Sequence, residues 1–322
     1  MSAREAILVI KLGALGDMIQ ALPAFERIRA AHPGGRLTLL TTPPYEALGR
    51  AMPWFDRIET DGRPRTLGAF LRLAARVRRA RYARVYDLQG VDRTSLLFQA
   101  LRPFPPAWSG VAAGCALPAR DPRRLQRHTL ERQAWQLREA GIWPDAPVED
   151  GAAPAPRVDW LIGADRPTRC EPPLALIAPG ASVRRPLKLW PAQRYGELAA
   201  ALIASGFDVA VIGAEAERPL ADIIRRAAPG ARDLAGATDL ATLARLGAAA
   251  AVAIGNDTGP MHLVAAAGAP SLVLFSADSD PALCGPRGDV NILRRPSLDS
   301  LSSAEVIGAA VRLAANCGAK PP

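Results

Sequence analysis

Strand-length apolar runs alternate with longer stretches of helical period from one end of this 322-residue chain to the other. The first run, Ala6 to Ile10, is followed by a glycine-containing loop and a predicted helix from Met18 to Ala31. Farther along, Leu67 to Arg81 is predicted to form an amphipathic helix that carries several arginines. Such alternation is typical of parallel α/β units, in which a helix returns the chain so that successive strands run parallel. The sequence therefore predicts an α/β protein with doubly wound parallel sheets.

Two series of these units are separated by a proline-rich stretch at about residues 143–173, which favours a linker. We predict two Rossmann-like domains, residues 1–160 and 161–322, with the final helix packing either in the second domain or back on the first. Ligands of doubly wound sheets bind at the carboxyl ends of the strands, so the following loops are expected to carry the chemistry. The later predicted strands are Arg36 to Thr41, Arg57 to Thr60, Arg84 to Leu88, Ala107 to Val111, Leu174 to Ala178, Asp208 to Ile212, Ala231 to Leu234, Ala251 to Ile254 and Ser271 to Phe275.

Composition excludes several protein classes. With 49% hydrophobic and 22% charged residues, the chain is predicted to be globular rather than disordered. Its apolar runs fall short of the ~18 residues that span a bilayer, and the run near its start is too short for a signal-peptide core. We therefore expect a cytoplasmic protein. The four cysteines lie far apart and form no CxxC pair, so structural zinc is not expected.

The excess of positive over negative charge belongs almost entirely to the first half of the chain. Up to Trp160 there are 24 Lys and Arg residues against 16 Asp and Glu residues, whereas the remainder has 16 against 15. A basic surface suits a nucleic acid, an anionic membrane face or an acidic substrate, and charge alone does not choose among them. A solvated basic surface without a partner accounts for the pattern equally well.

The loop from Ala178 to Pro191 has the residue types of a phosphate site. Gly180 allows a ligand to approach the backbone, Ser182 supplies a hydroxyl, and Lys188 stands just before the positive end of a helix dipole. Only three of the 40 basic residues are lysines, and both interior ones, Lys11 and Lys188, fall in strand-to-helix loops. A compact ammonium can meet phosphate oxygens there. An ordinary helix start with an exposed lysine would give the same local pattern.

The loop from Gly255 to His262 offers a polar group at several positions. Asp257 and Thr258 can cap the helix that follows, or their oxygens can hold sugar hydroxyls or phosphate while the Gly259 amide faces an anion. His262 lies one turn into that helix and faces either the core or a ligand. The pattern is compatible with both interpretations.

Asp17 ends the first loop and is also open to two interpretations. It is either a cap of the following helix or a general base that takes a proton from an acceptor hydroxyl. The chain has neither GxGxxG nor GxxxxGK[ST], so dinucleotide and P-loop sites lack their signatures.

Taken together, these segments resemble the ADP-heptose:lipopolysaccharide heptosyltransferase family, whose members are inverting glycosyltransferases of the GT-B architecture. The resemblance covers most of the chain and rests on the order and spacing of the motifs. They are Ile7-Leu-Val-Ile-Lys-Leu-Gly-Ala-Leu-Gly-Asp17 with Leu22-Pro23, Tyr86-Asp-Leu-Gln-Gly90, Pro179-Gly-Ala181 with Lys188-Leu-Trp-Pro191, Asp233-Leu-Ala-Gly236, Gly255-Asn-Asp-Thr-Gly-Pro-Met-His262, and Leu274-Phe275 with Asp280-Pro281. After the last of the predicted strands, many relatives have a Gly-Pro-Thr-like turn where this chain has Ser276-Ala-Asp-Ser279.

The resemblance implies a catalytic site between two Rossmann-like domains, with the acceptor on the first and a nucleotide-sugar donor on the second. It implies transfer of a heptose from ADP-heptose to the inner core of lipopolysaccharide, without a cofactor or metal, at the cytoplasmic membrane face. Asp17 would be the catalytic base. The residues implied for the donor are Gly180, Ser182, Lys188, Glu215, Asp257, Thr258, Gly259 and His262. Those expected at the acceptor, an acidic glycolipid, are Lys11, Gln89, Arg93, Arg72, Arg76 and Arg79, the last three of them at helical spacing.

Three other functions remain open at this point. A GT-B transferase that uses another nucleotide sugar on a different glycan would be separated by a panel of donors. A nucleotide-sugar binding protein without turnover would bind ADP tightly and transfer nothing. A nucleic-acid binder would agree with the net charge of +9, but the chain has no stacking motif and only 5% aromatic residues. We expect no nucleic acid, no obligate protein partner and a peripheral contact with an anionic membrane surface.

Overall fold

The computed structural model describes residues 4–168, 170–182 and 185–316. The chain divides into two compact units, which meet in the sequence at Pro154 and Ala155. Each unit contains one sheet with helices against it. Among the described helices, none is both long and apolar enough to cross a membrane.

The first unit is built on a six-stranded parallel sheet. Its strands are β1 (Ala6–Ile10), β2 (Arg36–Leu40), β3 (Arg57–Glu59), β4 (Arg84–Asp87), β5 (Ala107–Gly110) and β6 (Leu117–Pro118). Its helices are α1 (Leu15–Ile19), α2 (Leu22–Ala31), α3 (Glu46–Ala51), α4 (Leu67–Ala80), α5 (Asp92–Ala100) and α6 (Thr129–Glu139). The strands lie in the order β3-β2-β1-β4-β5-β6, and Ile10 at the end of β1 pairs with Leu40 on one side and Asp87 on the other.

The second unit also has a six-stranded parallel sheet. Its strands are β7 (Leu174–Ala178), β8 (Asp208–Val211), β9 (Arg232–Asp233), β10 (Val252–Asn256), β11 (Ser271–Phe275) and β12 (Val290–Arg294). Its helices are α7 (Asp159–Ile162), α8 (Ala192–Ala204), α9 (Arg218–Ala227), α10 (Leu240–Ala249), α11 (Gly259–Ala266), α12 (Pro281–Cys284) and α13 (Ser303–Asn316). The strands lie in the order β9-β8-β7-β10-β11-β12, with Ala178 paired to Gly255.

Both sheets therefore have the Rossmann order 3-2-1-4-5-6 when the strands of each are counted from its own first strand. In the first sheet, β2 and β3 are added on one side of β1 and β4 to β6 on the other, so the switch point lies between β1 and β4. In the second sheet it lies between β7 and β10. Ligands of open α/β sheets bind in the crevice at such a switch point, beyond the carboxyl ends of the strands. The predicted α/β fold with two Rossmann-like sheets is confirmed.

Each unit has its own apolar core. In the first, Leu8, Ile10 and Val85 of the sheet pack with Leu73 and Val77 of α4. The second core takes apolar residues from β7, β8, β10 and β11 and from helices α8, α9 and α13. The last described helix, α13, therefore lies in the core of the second unit, whereas the sequence allowed for its packing back on the first.

The structure differs from the sequence predictions at three elements. The helix predicted from Met18 to Ala31 is two helices, α1 and α2, because Pro23 has no amide hydrogen for the carbonyl of Ile19 and its ring crowds that turn. Strands β6 and β12 were not predicted. β6 has only two residues, and β12 is an edge strand that alternates half-buried and exposed positions instead of forming an apolar run.

Part of the predicted linker is packed structure. The amides of Gly151 and Ala153 donate hydrogen bonds to the buried carboxylate of Glu131 on α6, at 3.0 and 3.3 Å. Helix α7 lies within the stretch as well and packs against α10 of the second unit. The division between the units thus falls inside the proline-rich segment, with ordered contacts on each side of it.

Candidate functional site

At the switch point of the second sheet, the loops that follow β7 and β10 are joined through the side chain of Asn256. Its amide group donates to the carbonyls of Pro179 and Gly180, at 2.7 and 3.3 Å. Its carbonyl oxygen accepts from the Trp190 amide at 3.2 Å and the Tyr195 hydroxyl at 2.9 Å. Asn256 is fully buried, so all of these bonds form away from water. This amide fixes the backbone that enters the predicted phosphate loop relative to the start of α8.

We expect Asn256→Asp to destabilise the protein by about 3 kcal/mol at pH 8, because a buried carboxylate would then face two carbonyl oxygens without a donor. Such burial raises the pKa of the introduced carboxyl, so the loss grows as the pH rises and shrinks on acidification. Urea unfolding at pH 8 and pH 5 measures both effects. Asn291→Asp, at an exposed position of β12, is the matched control. A change within about 0.5 kcal/mol of the control would contradict the role given to Asn256.

Asp257, the next residue, binds three side chains from separate segments. Its Oδ2 accepts hydrogen bonds from the Lys188 ammonium and from the Ser279 hydroxyl, the latter at 2.7 Å. The Nε2 atom of His262 lies 3.7 Å from its Oδ1. All four residues are buried, with Lys188 and Asp257 each 8% exposed. We call these residues the Asp257 cluster.

The Asp257 cluster keeps its carboxylate ionised. Burial by itself raises the pKa of this carboxyl, but the hydrogen bonds from His262, Lys188 and Ser279 and the charge of Lys188 outweigh burial. They hold the pKa of Asp257 well below its usual range. Lys188 is thus not the exposed lysine of an ordinary helix start, but a buried cation with a fixed counterion.

Thr258 and Gly259 lie at the amino end of α11. Thr258 is the N-cap residue, yet no side-chain capping hydrogen bond forms there, and Thr258 and Gly259 are half-buried. The Asp257 carboxylate points to Lys188 and Ser279 instead of capping α11. The side chains of Asp257 and Thr258 therefore do not cap α11, although capping was one of the two interpretations of the sequence.

Two glutamates follow β8 and have different environments. Glu217 lies against Gly180, so closely that a Cβ at position 180 would overlap its carboxylate, and it accepts a 2.7 Å hydrogen bond from the Ala214 amide. Glu215, the predicted ribose contact, is exposed and pairs with Arg218 through two 2.8 Å hydrogen bonds. This pairing lowers the pKa of Glu215. Both oxygens of the Glu215 carboxylate are thus bound by Arg218, in the segment that follows β8.

Ser182 lies in the loop after β7 but outside these contacts. It is exposed, and its carbonyl accepts a 2.8 Å hydrogen bond from the Arg185 amide. Arg185 in turn donates to the carbonyl of Asp278, at 3.0 Å. Arg184, which precedes Arg185 in the chain, lies outside the described residues. The structure thus brings Lys188, Asp257 and His262 together and leaves Ser182 at the surface.

At the switch point of the first sheet, the loops after β1 and β4 are joined in a similar way. The Gln89 side-chain oxygen accepts from the Leu12 amide at 2.9 Å, and the Lys11 ammonium donates to the Leu88 carbonyl at 3.3 Å. The Asp87 carboxylate accepts from the amides of Gln89 and Gly90. Burial raises the pKa of Asp87 and lowers that of Lys11. Two of the predicted acceptor residues, Lys11 and Gln89, therefore also hold these loops in place.

Asp17 is the third residue of α1 and is partly exposed. Its Oδ2 accepts a 2.9 Å hydrogen bond from the Ala14 amide, which closes the loop onto the helix. Gly13, just before, has a φ of +96°, and a Cβ there would overlap the ring of Tyr45. One carboxylate oxygen of Asp17 thus caps the helix, as one interpretation of the sequence required. Asp17 follows the loop after β1, and its role as a general base stays a prediction.

The four arginines predicted at the acceptor differ in their surroundings. Arg72 and Arg79 of α4 are exposed, and so is Arg93 at the start of α5. Arg76 is instead ion-paired with Glu59 and Asp61 beside the end of β3, so its charge is already balanced within the unit. Of the three residues at helical spacing, only the outer two present an unshielded guanidinium.

Asn256 and Ser279 were not among the predicted site residues. Asn256 belongs to the segment from Gly255 to His262, but nothing local distinguishes an amide that binds four groups from one that faces solvent. Ser279 lies in the segment Ser276-Ala-Asp-Ser279, which departs from the pattern of the resembled family. Its distance of 22 residues from Asp257 hides their contact, and only the pairing of β10 with β11 brings them together.

The chemistry that these residues offer is anion binding and proton transfer. A buried ammonium and a helix amino end lie at the second switch point, where they suit a phosphate, and a partly exposed carboxylate lies at the first. No group of three or more His, Cys, Asp or Glu residues within the described ranges could hold a metal ion.

Comparisons with known proteins agree with this fold. The curated relative "Lipopolysaccharide heptosyltransferase 2" of Salmonella typhimurium is 28% identical over 298 residues, 85% of this chain and 83% of that protein. The solved structure of Escherichia coli ADP-heptose lipopolysaccharide heptosyltransferase II superposes with a TM-score of 0.75, at 22% identity, and covers 97% of this chain and 99% of the other. The E. coli heptosyltransferase WaaC with ADP gives 0.71 at 19% identity, covering 96% and 99%.

The sequence also matches the family described as "Glycosyltransferase family 9 (heptosyltransferase)" over residues 70–295. That range contains β4, one of the two strands at the switch point of the first sheet, and every residue of the Asp257 cluster. The chain belongs to glycosyltransferase family 9, the heptosyltransferases, and is a transferase of that family.

Proposed function

We propose that this enzyme is an inverting, metal-independent transferase that moves a heptose from ADP-heptose to the inner core of lipopolysaccharide. The observation that carries the proposal is the buried Lys188–Asp257 pair at the switch point of the second sheet, in a chain of family 9. The names of the Salmonella and E. coli relatives support the donor and the acceptor. The ADP complex of WaaC supports an adenine nucleotide as the leaving group.

In this mechanism the Asp17 carboxylate takes the proton from a hydroxyl of the acceptor. The acceptor oxygen attacks the anomeric carbon of the heptose from the face opposite the diphosphate, and a new C–O bond forms. The bond between the anomeric carbon and the diphosphate oxygen breaks, and its electron pair leaves with ADP. One displacement inverts the anomeric configuration, and no covalent sugar intermediate forms.

Negative charge grows on the diphosphate as that bond breaks, so cationic groups fixed beforehand stabilise the transition state. Lys188 is suited to this, because its ammonium has three N–H groups. One of them donates a hydrogen bond to the Asp257 carboxylate, and the others stay available to donate to phosphate oxygens. Gly180 and the amino end of α11, with Thr258 and Gly259, supply backbone amides for the diphosphate. Glu215 is proposed to bind ribose hydroxyls, and His262 the donor sugar. The exposed Ser182 hydroxyl is the remaining donor contact.

The experiment that tests this function measures ADP release and the mass gain of the acceptor. Purified enzyme is incubated with ADP-heptose and a heptose-deficient lipopolysaccharide core, with and without EDTA. Stoichiometric ADP release and acceptor gain in EDTA, with an inverted anomeric centre, are expected. ADP binding without transfer would contradict this choice of acceptor or of donor sugar, and absence of ADP binding would overturn the donor assignment. Loss of transfer in EDTA, restored by a divalent cation, would overturn metal independence.

We further propose that α4 contacts an anionic membrane surface, which places the enzyme peripherally at the cytoplasmic face where a glycolipid acceptor is found. Arg72 and Arg79 are exposed on this helix, and so are Leu67 and Leu71, which are 73% and 55% exposed. Cations beside exposed apolar side chains on one helix favour the interface of an anionic bilayer. Arg93 at the start of α5, with Lys11 and Gln89 at the switch point, is proposed to bind the acidic acceptor itself.

We expect the enzyme to float with phosphatidylglycerol vesicles and not with phosphatidylcholine vesicles in a density gradient. The Arg72→Glu/Arg79→Glu variant should bind at least about tenfold more weakly, because each cation near the surface contributes roughly 1 kcal/mol. Arg225→Glu/Arg226→Glu, an exposed pair on α9, makes the same change of charge elsewhere. Equal loss in both variants would reduce the effect to net charge and contradict a role for α4.

A further inference from the structure

The loop between β11 and α12, residues 276–280, is held at both ends and in its middle. The Ala277 amide donates to the Pro296 carbonyl at 3.2 Å, and Asp280 caps α12 through the Ala282 amide at 3.1 Å. Arg185, from the loop that carries Lys188, donates to the Asp278 carbonyl at 3.0 Å. The Ser279 hydroxyl is thereby fixed where it donates to Asp257 Oδ2 at 2.7 Å.

From this geometry we infer that Ser279 is a positioning residue for transfer, which acts through Asp257 on the direction of the Lys188 ammonium. This inference rests on the proposed function and adds a residue to it. Ser279 and Lys188 bind the same oxygen of Asp257, so the hydroxyl limits rotation of the carboxylate about its Cβ–Cγ bond. The ammonium follows the oxygen to which it is bound. A lysine on a flexible four-carbon chain is a precise electrostatic group only when its counterion is held.

The position of Ser279 distinguishes this role from general support of the loop. Ser276, in the same loop, is fully buried, and its hydroxyl accepts a 3.2 Å hydrogen bond from the Asp278 amide. Both serines therefore contribute to the loop, but the contact with Asp257 is made by Ser279. Ser276→Ala removes a buried hydroxyl of the loop without removing that contact, and is the matched control for Ser279→Ala.

The test compares Ser279→Ala, Ser279→Thr and Ser276→Ala with the wild type in kcat, KM for ADP-heptose and thermal unfolding. Ser279→Ala should lose about tenfold or more in kcat with a smaller change in KM, because the charge on the leaving group develops in the transition state. Ser279→Thr keeps the hydroxyl and should recover most of the kcat. Ser276→Ala should keep its kcat within about twofold, whatever its loss of stability. A kcat of Ser279→Ala within about twofold of the wild type, or an equal loss in Ser276→Ala, would overturn the inference.

A second measurement requires no substrate and separates this inference from the proposed function. The chain has three lysines, Lys11, Lys188 and Lys320, so the rate at which an amine-reactive acylating reagent modifies Lys188 can be followed by peptide mass spectrometry. Ser279→Ala should label faster at Lys188 than Ser276→Ala does, because the carboxylate that binds the ammonium is no longer held in one orientation and the ammonium moves with it. Faster labelling in an enzyme that transfers no heptose would support the positioning and overturn the transfer. Unchanged labelling would overturn the positioning in an active or inactive enzyme.

Discussion

Asp17→Asn is expected to lower heptosyl transfer by about 10² to 10⁴ while ADP binding stays unchanged. This is the range by which a positioned general base accelerates a reaction. An amide cannot take the proton of the acceptor hydroxyl, but its carbonyl oxygen can still accept the hydrogen bond from the Ala14 amide that Asp17 makes now. The asparagine variant therefore isolates the base, whereas Asp17→Ala also removes a helix cap, at a cost of about 1 kcal/mol.

The measurement is the single-turnover rate, together with ADP titration by calorimetry and thermal unfolding. Asp92→Asn is the matched control, since Asp92 is an exposed acid in the first turn of α5 in the same unit. A transfer rate in Asp17→Asn close to that of the control would show that another group removes the proton. Equal losses of transfer and ADP affinity would instead indicate that Asp17 acts on the donor.

Lys188→Met is expected to reduce transfer by at least about 10² and to destabilise the protein by about 3–5 kcal/mol. The first effect follows from loss of a fixed cation at the leaving group, and the second from the buried charge left on Asp257. The Asp257 and Lys188 side chains are 6% and 10% exposed, so water screens the remaining carboxylate little. Because its pKa is held far below that of an unfolded aspartate, Asp257 contributes stability that is present at neutral pH and is lost on strong acidification.

The variant Lys188→Met/Asp257→Asn separates the two effects. Removal of both charges should restore most of the stability, because a neutral amide is left where an unpaired carboxylate would be, but it should not restore transfer. Urea unfolding and the single-turnover rate measure the two quantities independently. If the double variant were no more stable than Lys188→Met, the pair would not be the source of the loss. If it regained transfer, Lys188 would not be the cation at the leaving group.

A strand could be predicted from the sequence where helices cover both faces of its sheet and bury it. β1, β7 and β11 have the predicted bounds, because a strand covered by helices on both faces needs an unbroken apolar run. β12 has partly exposed residues and no such run. The break between α1 and α2 follows from Pro23. The proline is visible in the sequence, but the helical period of the apolar residues around it favoured a single helix.

The site could be predicted as a set of loops, but not as a set of contacts. Motif order assigned Lys188 and Asp257 to the donor separately, and their ion pair joins residues 69 positions apart. The bond of Ser279 to Asp257 and the four bonds of Asn256 depend on the way strands of one sheet align. A sequence read in windows does not contain that alignment. By contrast, the rarity of lysine among the basic residues can be read from the sequence directly, and it distinguishes Lys188.

The shared strand order of the two sheets bears on how such an enzyme changes over evolutionary time. Each sheet has its own core, and the Asp257 cluster lies entirely in the second. A recombination joint near Pro154 and Ala155 would cut neither core nor cluster. Under the proposed roles, exchange of one half between paralogues would recombine a new glycan specificity with an unchanged activated-sugar specificity.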